Sequence, residues 1–454
     1  MDDQDPRPEQ GIANAFSRRT FLQGAAAAGA AGVVAASLPH ALVDAASAPA
    51  PAPAPAQTIN YWNLFGGGDG ARMVQLEKMF AKSHPTITLK PTTLAWGLPY
   101  YTKLTTSTVA GQAPDVAILH MTRLPAFAPP GLLEPLDTKM LAQYGITANK
   151  FLPEIWKKAQ YNGQVYAIPL DTHPLVMYYN TEICRKAGLL GADGKLKPLA
   201  GPAAVLDAFK KAQKVTGKYG LALDTADVMP WRLFYALYSQ TGGKVLSPDG
   251  KSVVLDNAKA AKVLSFMAEL TQTSKVAGAS VDYAGGVALF GSGKAGFHLN
   301  GEWEVTTFQA QKLPFDMTLV PNIFGGLQTQ ADSHAFVIPR QRSLDKGKLA
   351  ASLTFIGDVL KNSAVWAQGG HIPAYLPVTD SAAYKHLTPQ SHYAAEAAHV
   401  TYDPAAWYSG AASTLETDAG AAFQAVLQGH LTPAKAISQF RSDLQKLIAT
   451  PPPS

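Results

Sequence analysis

Cysteine is almost absent from this chain: Cys184 is the single one among 454 residues. An intramolecular disulfide is therefore excluded, and we interpret Cys184 as a small buried hydrophobic residue. Charge is also sparse, at 16% of residues, with a formal net charge of +5 and basic residues that are scattered along the chain. This distribution excludes the basic footprint of a nucleic-acid-binding protein and the polybasic patch of a membrane-surface protein.

Motifs for catalysis and metal binding are missing as well. We find no G-x-S-x-G, H-E-x-x-H or C-x-x-C sequence. His392 and His399 lie two helical turns apart, but no third candidate ligand is close to them in sequence, so we interpret both as surface histidines. The sequence predicts no catalytic residue, no cofactor and no metal ion.

A glycine-rich segment, Gly66–Ala71, leaves one cofactor alternative open. Its glycines fit a dinucleotide fingerprint at the start of a helix. The next predicted strand, residues 87–94, lacks the acidic residue that would hold a ribose. We therefore prefer a loop whose backbone amides face a polar ligand at a helix N-terminus.

The N-terminal segment has the pattern of an export signal. Arg18 and Arg19 precede the apolar, small-residue run Gly24–Leu38, which is typical of a twin-arginine signal peptide. An amphipathic N-terminal helix or a membrane anchor is the alternative, although the run is shorter than the roughly 20 residues of a spanning helix. We predict a signal peptide over residues 1–48 and a Pro/Ala linker over residues 49–57. No cysteine lies near the end of the signal, so we expect a periplasmic or extracellular protein that is not a lipoprotein.

Strands and helices alternate after the linker. Apolar periodicity predicts a strand over residues 58–65, a helix over 71–82 and a strand over 87–94. This alternation predicts an α/β fold with a mainly parallel sheet, and the roughly 400 residues after the signal predict two domains. We expect a polar break between two strands at 171–174 and an all-helical chain after residue 361.

Helix start signals are readable at two later positions. Asp256 is a predicted N-cap of a helix that begins at Asn257. Thr432 is a predicted N-cap of the last helix, with Pro433 as its first residue. A further helix is predicted over residues 346–361.

Most of the tryptophans lie at the ends of predicted elements, beside polar residues, rather than inside apolar stripes. A tryptophan face covers the C–H face of a sugar ring, while neighbouring charged and amide side chains bond the sugar hydroxyls. Hydrogen bonds to charged groups contribute about 1.5–3 kcal/mol each, so a few such bonds plus stacking reach the roughly 8 kcal/mol of a micromolar site. The pattern therefore indicates carbohydrate binding. The tryptophans concerned are Trp62, Trp96, Trp231, Trp303, Trp366 and Trp407.

Five short segments occur in an order and spacing typical of one family. They are Ala110–Val116, Gly131–Asp137, Tyr161–Pro169, Phe297–Trp303 and Ser333–Pro339. Through these segments the chain resembles the extracellular solute-binding proteins of ABC sugar importers, the maltose-binding-protein-like family 1. The resemblance extends over residues 58–450.

The resemblance implies a type II periplasmic-binding-protein fold, in which two α/β lobes are joined by crossing hinge segments and the ligand cleft lies between them. It also implies that the lobes close around the ligand and that the closed form docks on an ABC permease. The expected crossings lie near Pro169–Asp171, Pro321–Phe324 and Gly370–Pro373. The expected N-lobe comprises residues 58–169 plus 325–370, and the expected C-lobe comprises residues 170–324 plus 371–454.

The resemblance further implies which residues line the cleft. They follow the first strands of the N-lobe, the first crossing, the start of a C-lobe helix and the turn at Gly301. The implied ligand-binding residues are Phe65, Gly66, Gly67, Trp96, His120, Arg123, Asp171, His173, Trp231, Arg232, Glu302, Trp303 and Trp407.

We therefore expect a monomeric, non-enzymatic binding protein that captures a mono- or oligosaccharide and delivers it to an ABC permease, with no nucleic-acid partner. A polyol, a glycerophosphodiester or another non-sugar solute, such as thiamine, a metal chelate or a peptide, is the first alternative ligand. A secreted carbohydrate-active enzyme that uses Asp171 and Glu302 as its carboxyl pair is the second alternative.

Overall fold

A computed structural model describes residues 56–452 of the chain. The predicted signal peptide and nearly all of the predicted linker lie outside these residues. The described chain builds two mixed β-sheets, against which helices pack, and a two-stranded antiparallel sheet over residues 160–165. The strands are β1 (Gln57–Asn63), β2 (Ile87–Thr93), β3 (Val116–His120), β4 (Gln160–Tyr161), β5 (Gln164–Val165), β6 (Ala167–Pro169), β7 (Asp171–Asn180), β8 (Tyr219–Leu223), β9 (Ala295–Gly301), β10 (Phe315–Thr318), β11 (Thr329–Asp332), β12 (His334–Val337), β13 (Ile372–Pro373) and β14 (Val400–Tyr402).

The helices alternate with these strands and then dominate the end of the chain. They are α1 (Gly68–Ser83), α2 (Leu98–Val109), α3 (Leu124–Phe127), α4 (Thr138–Gln143), α5 (Pro153–Lys158), α6 (Thr181–Lys186), α7 (Pro202–Thr216), α8 (Met229–Gln240), α9 (Asn257–Ala268), α10 (Tyr283–Gly291), α11 (Val305–Ala310), α12 (Lys346–Lys361), α13 (Ala364–Ala367), α14 (Leu376–Thr379), α15 (Ala382–Lys385), α16 (Gln390–Tyr393), α17 (Thr414–Leu427) and α18 (Pro433–Ala449). Short 3₁₀ turns span Met121–Arg123, Ala148–Lys150, Glu302–Glu304 and Ala394–Ala398, and a π-helical turn spans Glu269–Thr273.

The first sheet has the strand order β2-β1-β3-β12-β6. Strand β1 pairs in parallel with β2 and β3, whereas β12 pairs antiparallel with β3 and β6. The expectation of a mainly parallel sheet is therefore wrong. Strand β12 begins where β3 ends, with His334 opposite His120, so it must run in the opposite direction. We call this sheet and the helices packed on it the N-lobe.

The second sheet has the strand order β14-β11-β7-β9-β8, and β10 and β13 also pair with β7. Strand β7 is continuous over ten residues, all of them buried. The expected polar break at 171–174 is therefore wrong, because these residues pair first with β13 and then with β11 and so keep an extended backbone. We call this sheet and its helices the C-lobe.

The chain passes between the two sheets at three places. Leu170 joins β6 to β7, at the predicted first crossing. Ser333 joins β11 to β12, so the second change of sheet comes later than the predicted Pro321–Phe324. The third begins at Gly370–Pro373, where β13 pairs with β7. Ala374, Tyr375 and Val378 then pack in the N-lobe core, and the chain returns to the C-lobe at α16, which packs on β10.

Each lobe has its own apolar core. Phe336 and Phe355 pack with Tyr61 in the N-lobe, and Phe423 and Cys184 are fully buried in the C-lobe. Burying one such aromatic side chain contributes about 1.5–3 kcal/mol. The predicted burial of Cys184 is confirmed, and this burial raises the pKa of its thiol to about 12.

The predicted helix caps are confirmed, but the expected all-helical tail is wrong. Asp256 accepts hydrogen bonds from the backbone N–H groups at the start of α9, and Thr432 does the same at the start of α18. After residue 361 the chain also contributes β13 and β14, and β14 pairs in parallel with β11. Within residues 56–452, no helix combines the length and the apolar character needed to cross a bilayer.

The buried carboxyl group of Glu396 makes the stability of the fold pH-dependent. Burial raises its pKa to about 9, and the Val320 backbone offsets this only in part. An unfolded glutamate ionises at about pH 4.3, so between these values the folded state holds the additional proton. Stability therefore falls as the pH rises through this window, by about 1.4 kcal/mol per pH unit.

We predict that Glu396→Gln removes this contribution. The difference in the free energy of unfolding, variant minus wild type, should increase steadily from about pH 5 to about pH 8. Urea unfolding at several pH values measures it, with the exposed Glu154→Gln as control. A difference that stays constant with pH would contradict the prediction.

Candidate ligand-binding site between the lobes

The candidate site lies where the ends of the N-lobe strands meet the C-lobe. Parallel strands β1, β2 and β3 bring their carboxyl ends to one edge of their sheet, the usual location of ligand sites in α/β folds. Gly68, at the start of α1, lies against Thr306 of the C-lobe and has no room for a β-carbon without displacement. Trp96, which follows β2, lies under the Arg232 guanidinium at 5.3 Å.

Three histidines from three strands cluster at this junction. His120 ends β3, His173 lies in β7 and His334 begins β12. The His173 and His334 rings stack with centroids 4.1 Å apart, and the His120 centroid lies 5.3 and 4.7 Å from them. Phe65 packs edge-on against His334 at 4.9 Å. The sequence predicted two of these histidines and missed His334.

Asp171 is the fully buried carboxylate behind the histidines. It accepts hydrogen bonds from Nδ1 of His173 at 3.0 Å, from Nδ1 of His334 at 2.8 Å and from Nε1 of Trp366 at 2.7 Å. The backbone N–H of His334 donates a fourth bond, at 2.8 Å. Burial alone would raise the pKa of Asp171, but the nearby histidines, His334 foremost, hold it well below its usual range. Asp171 is therefore an ionised carboxylate, and its two oxygens accept their hydrogen bonds from other groups of the protein.

A second buried group joins Glu302 to His371. Nδ1 of His371 lies 2.9 Å from Oε1 of Glu302, and its Nε2 lies 3.6 Å from Oδ2 of Asp69. Burial raises the pKa of Glu302 to about 7. For His371, burial favours the neutral ring, but Asp171 and the other carboxylates raise its pKa to about 10. In the described residues 56–452, the side-chain atoms of Glu302 and His371 make no hydrogen bond of good geometry.

Trp303 places an aromatic face at the C-lobe side of the junction. Its ring folds back over Gly301, where a β-carbon would lie 1.9 Å from the ring. Its Nε1 donates a hydrogen bond to the Tyr283 hydroxyl at 2.6 Å, which fixes the ring plane. The edge of this ring approaches His173, with centroids 6.0 Å apart.

Arg232 and Glu416 form a buried ion pair beside Trp96. The Arg232 Nε donates to Glu416 Oε1 at 2.7 Å, and the Glu416 side chain is fully buried. The charge of Arg232 is thereby neutralised within the C-lobe. Its outer face remains available for the cation–π contact with Trp96, whose side chain is 40% exposed.

The structure places other predicted site residues differently. Trp231 is fully buried and stacks on Tyr235 at 4.8 Å, so its ring belongs to the C-lobe core. Nearly all residues of helix α8 are buried in that core. The sequence did not predict this burial, because Arg232 lies next to Trp231. Trp407 is half-buried and packs on the same core. Arg123 lies over the Tyr101 ring at 4.9 Å. Gly66 and Gly67 are exposed ahead of α1.

A cavity of about 250 Å³ opens between the lobes beside this cluster. Thr122 and Lys158 line it from the N-lobe, and Tyr402 and Asp403 line it from the C-lobe. The Lys158 ammonium lies over the Tyr402 ring at 4.7 Å. A second cavity, of about 220 Å³, lies near Asp115 within the N-lobe. Both lobes contribute to the first cavity, but Trp96, Trp303 and the three histidines do not line it.

Two groups of side chains at the junction have the composition of a metal site. One ligand atom from each member of a group lies within 4.8 Å of the others. The first group is Asp171, His173, His334 and His371, and the second is His120, His173 and Asp332. His392, which was predicted with His399 as a surface histidine, belongs to neither group. It is partly buried, and its Nδ1 bonds Asp316 at 2.6 Å. Sequence motifs did not find these groups, because their members come from distant segments.

Two α/β lobes that exchange strands, with polar and aromatic side chains of both lobes at their junction, define a two-lobed binding protein. The profile of the bacterial extracellular solute-binding proteins matches residues 75–399. The chain therefore belongs to this family, and the family predicted from the sequence is confirmed. Its members are binding proteins that act outside the cytoplasm, so the enzyme hypothesis gains no support.

Individual relatives agree with this assignment. A binding protein of Brucella abortus (strain 2308) is 25% identical over 340 residues, which cover 72% of this chain and 80% of that protein. The arabinooligosaccharide-binding protein of Bacillus subtilis (strain 168) is 26% identical over 218 residues, 47% of each chain.

Solved structures confirm the two-lobed fold. The GacH receptor of Streptomyces glaucescens, studied unliganded and with acarbose, matches with a TM-score of 0.76 and 20% identity over 87% of this chain and 99% of its own. UgpB of Mycobacterium tuberculosis, in complex with glycerophosphocholine, matches with a TM-score of 0.72 and 17% identity over 86% and 98% of the two chains.

The buried ion pair beside Trp96 should be important for stability. We predict that Arg232→Met lowers the free energy of unfolding by roughly 3–5 kcal/mol, because Glu416 is left buried without its cation. Chemical unfolding measures this change. The matched control is Lys186→Met, which breaks the exposed pair with Glu182 and should cost less than about 1 kcal/mol. Equal losses in the two variants would contradict the prediction.

Proposed function

We propose that the protein captures a mono- or oligosaccharide at the junction of its lobes and delivers it to an ABC permease. The observation that carries this proposal is a row of rings across the junction. The row runs Trp96, His120, His173, Trp303, with successive centroids 6.3, 5.3 and 6.0 Å apart. A partly exposed tryptophan from each lobe thus flanks two polar rings, an arrangement that suits the apolar faces and hydroxyl rim of a sugar.

The charge state of the histidines favours an uncharged ligand. Burial lowers the pKa of His120 well below its ordinary value, and it lowers the pKa of His173 to about 3. Both rings are therefore neutral near pH 7. His173 donates its Nδ1 proton to Asp171, so its Nε2 remains as an acceptor for a sugar hydroxyl.

A phosphodiester ligand needs a cation that is free to pair with it. Arg232, beside the ring row, is already paired with Glu416, so such a ligand would depend on Lys158 at the neighbouring inter-lobe cavity. GacH with acarbose and the arabinooligosaccharide-binding protein support a carbohydrate ligand by analogy. UgpB with glycerophosphocholine supports the alternative, a glycerophosphodiester.

We keep six of the thirteen predicted ligand-binding residues as direct ligand contacts. We assign ligand contacts to the four rings of the row and to the exposed backbone of Gly66 and Gly67, and we leave Trp231 to the C-lobe core. Export by the twin-arginine route, the absence of a lipid anchor and a monomeric state belong to the same proposal. The support for the export route is the pair Arg18 and Arg19 ahead of the small-residue run Gly24–Leu38.

Calorimetric titration tests the ligand class directly. Protein stripped of ligand by unfolding and refolding would be titrated with maltotriose, arabinotriose, mannitol and glycerophosphocholine. We expect at least one sugar to bind with a dissociation constant near the micromolar range, which corresponds to a binding free energy of about 8 kcal/mol. Binding of glycerophosphocholine or mannitol without binding of any sugar would reject the proposal.

Trp303 provides the sharpest test of the site. We predict that Trp303→Ala weakens sugar binding by about 10- to 100-fold. The apolar contact between the tryptophan ring and the sugar is lost, and burying such a side chain contributes roughly 1.5–3 kcal/mol. The control is Trp62→Ala, since Trp62 lies under Lys103 of helix α2. Thermal unfolding verifies that both variants fold. Unchanged affinity in the folded Trp303 variant would remove this residue from the site.

A further inference from the structure

His120, His173 and Asp332 converge without bonding to one another. They come from β3, β7 and the end of β11, and each is about 95% or more buried. One ligand atom of each lies within 4.8 Å of the other two. Within residues 56–452, the hydrogen bonds of these three side chains go to other partners, so mutual hydrogen bonding does not explain their approach.

Each histidine is held by its far ring nitrogen. The Nδ1 of His120 bonds the Tyr101 hydroxyl at 2.5 Å, and the Nδ1 of His173 bonds Oδ1 of Asp171 at 3.0 Å. Such bonds leave Nε2 of each ring as the remaining ligand atom. A hydroxyl or carboxylate behind each histidine is the arrangement that orients metal ligands in proteins.

Asp332 is oriented in the same way. Its Oδ1 accepts hydrogen bonds from the backbone N–H groups of Thr122 at 3.1 Å and Ser333 at 2.8 Å, and its Oδ2 accepts from the Thr122 hydroxyl. The carboxylate is thus fixed in place beside the two imidazoles. Imidazole nitrogens and carboxylate oxygens are common ligand atoms of metal ions.

The neighbouring group of Asp171, His173, His334 and His371 has a different explanation. Two of its histidines donate to Asp171, and Trp366 donates to the same carboxylate. These are ordinary hydrogen-bond distances, and they account for the close approach of Asp171, His173 and His334. The group therefore needs no ion to hold it together.

We propose that His120, His173 and Asp332 form a binding site for a divalent transition-metal ion, with Zn²⁺ as the first candidate. Two imidazole nitrogens and one carboxylate oxygen are a ligand set that such ions favour over Mg²⁺ or Ca²⁺. Three protein ligands leave a coordination position for an oxygen of a bound solute. Thr122, which bonds Asp332, also lines the inter-lobe cavity, so one residue separates Asp332 from that cavity.

The ion would also connect the lobes. His120 belongs to the N-lobe sheet, whereas His173 and Asp332 belong to the C-lobe sheet. An ion that binds all three favours the arrangement in which the lobes are in contact, and its binding free energy adds to the stability of that arrangement. The proposal does not depend on a carbohydrate ligand. With the ion bound, the Nε2 atoms of His120 and His173 are its ligands, so these two rings would contact a sugar through their faces alone.

Titration with Zn²⁺ and Co²⁺ alone, in the absence of any sugar, tests the proposal. Tag-free protein treated with EDTA and dialysed would be titrated by calorimetry, and the Co²⁺ complex would be followed by its visible absorption. We expect one ion per chain. His120→Asn and Asp332→Asn should each weaken binding by at least 100-fold. Tyr101→Phe, which removes only the hydroxyl behind His120, should weaken it by about 10- to 100-fold.

His371→Asn is the matched control, because His371 belongs only to the neighbouring group. It should leave the stoichiometry and the affinity unchanged. Thermal unfolding establishes that each variant folds, and the near-isosteric Asp332→Asn and Tyr101→Phe keep the test decisive if His120→Asn does not fold. The proposal fails if the wild-type protein binds no stoichiometric ion. It also fails if folded Asp332→Asn and Tyr101→Phe bind as tightly as the wild type, or if His371→Asn alone abolishes binding.

Discussion

The buried carboxylate of Asp171 is the constraint on which the junction of the lobes depends. It stands at the first crossing and bonds His334, which follows the second crossing, through both the ring and the backbone. It also bonds Trp366, which precedes the third crossing. One ionised side chain thereby connects all three segments that join the lobes. A buried carboxylate is costly unless its oxygens are hydrogen-bonded, and here four donors satisfy them.

This arrangement explains why the site residues occupy their positions. The crossings fix β7 and β12 against the end of β3, and so they bring His173 and His334 to His120. The two tryptophans at the ends of the ring row then come from loops outside this fixed centre, one in each lobe.

Local signals in the sequence predicted the local structure well. Asp256 and Thr432 were predicted as N-caps because a side-chain oxygen before a helix satisfies free backbone N–H groups. Helix α12 was predicted over the range that the structure has. The family resemblance supplied the two-lobed fold, which no single element carries.

Features that depend on distant contacts were not predictable in the same way. The crossing at Ser333 was missed because one residue separates β11 from β12, so no turn signal marks it. Asp332, His334 and His371 escaped notice because each is a lone polar residue in its own segment, and the fold alone brings it to its partners. Trp231 was misplaced because a tryptophan beside an arginine has the same sequence pattern in a core as in a binding site.

A crystal structure of the protein with the sugar that binds most tightly tests the central claim most directly. The account predicts ligand density between the lobes, in contact with Trp96 from the N-lobe and Trp303 from the C-lobe. Density in the cavity near Asp115, or on one lobe alone, would contradict the account.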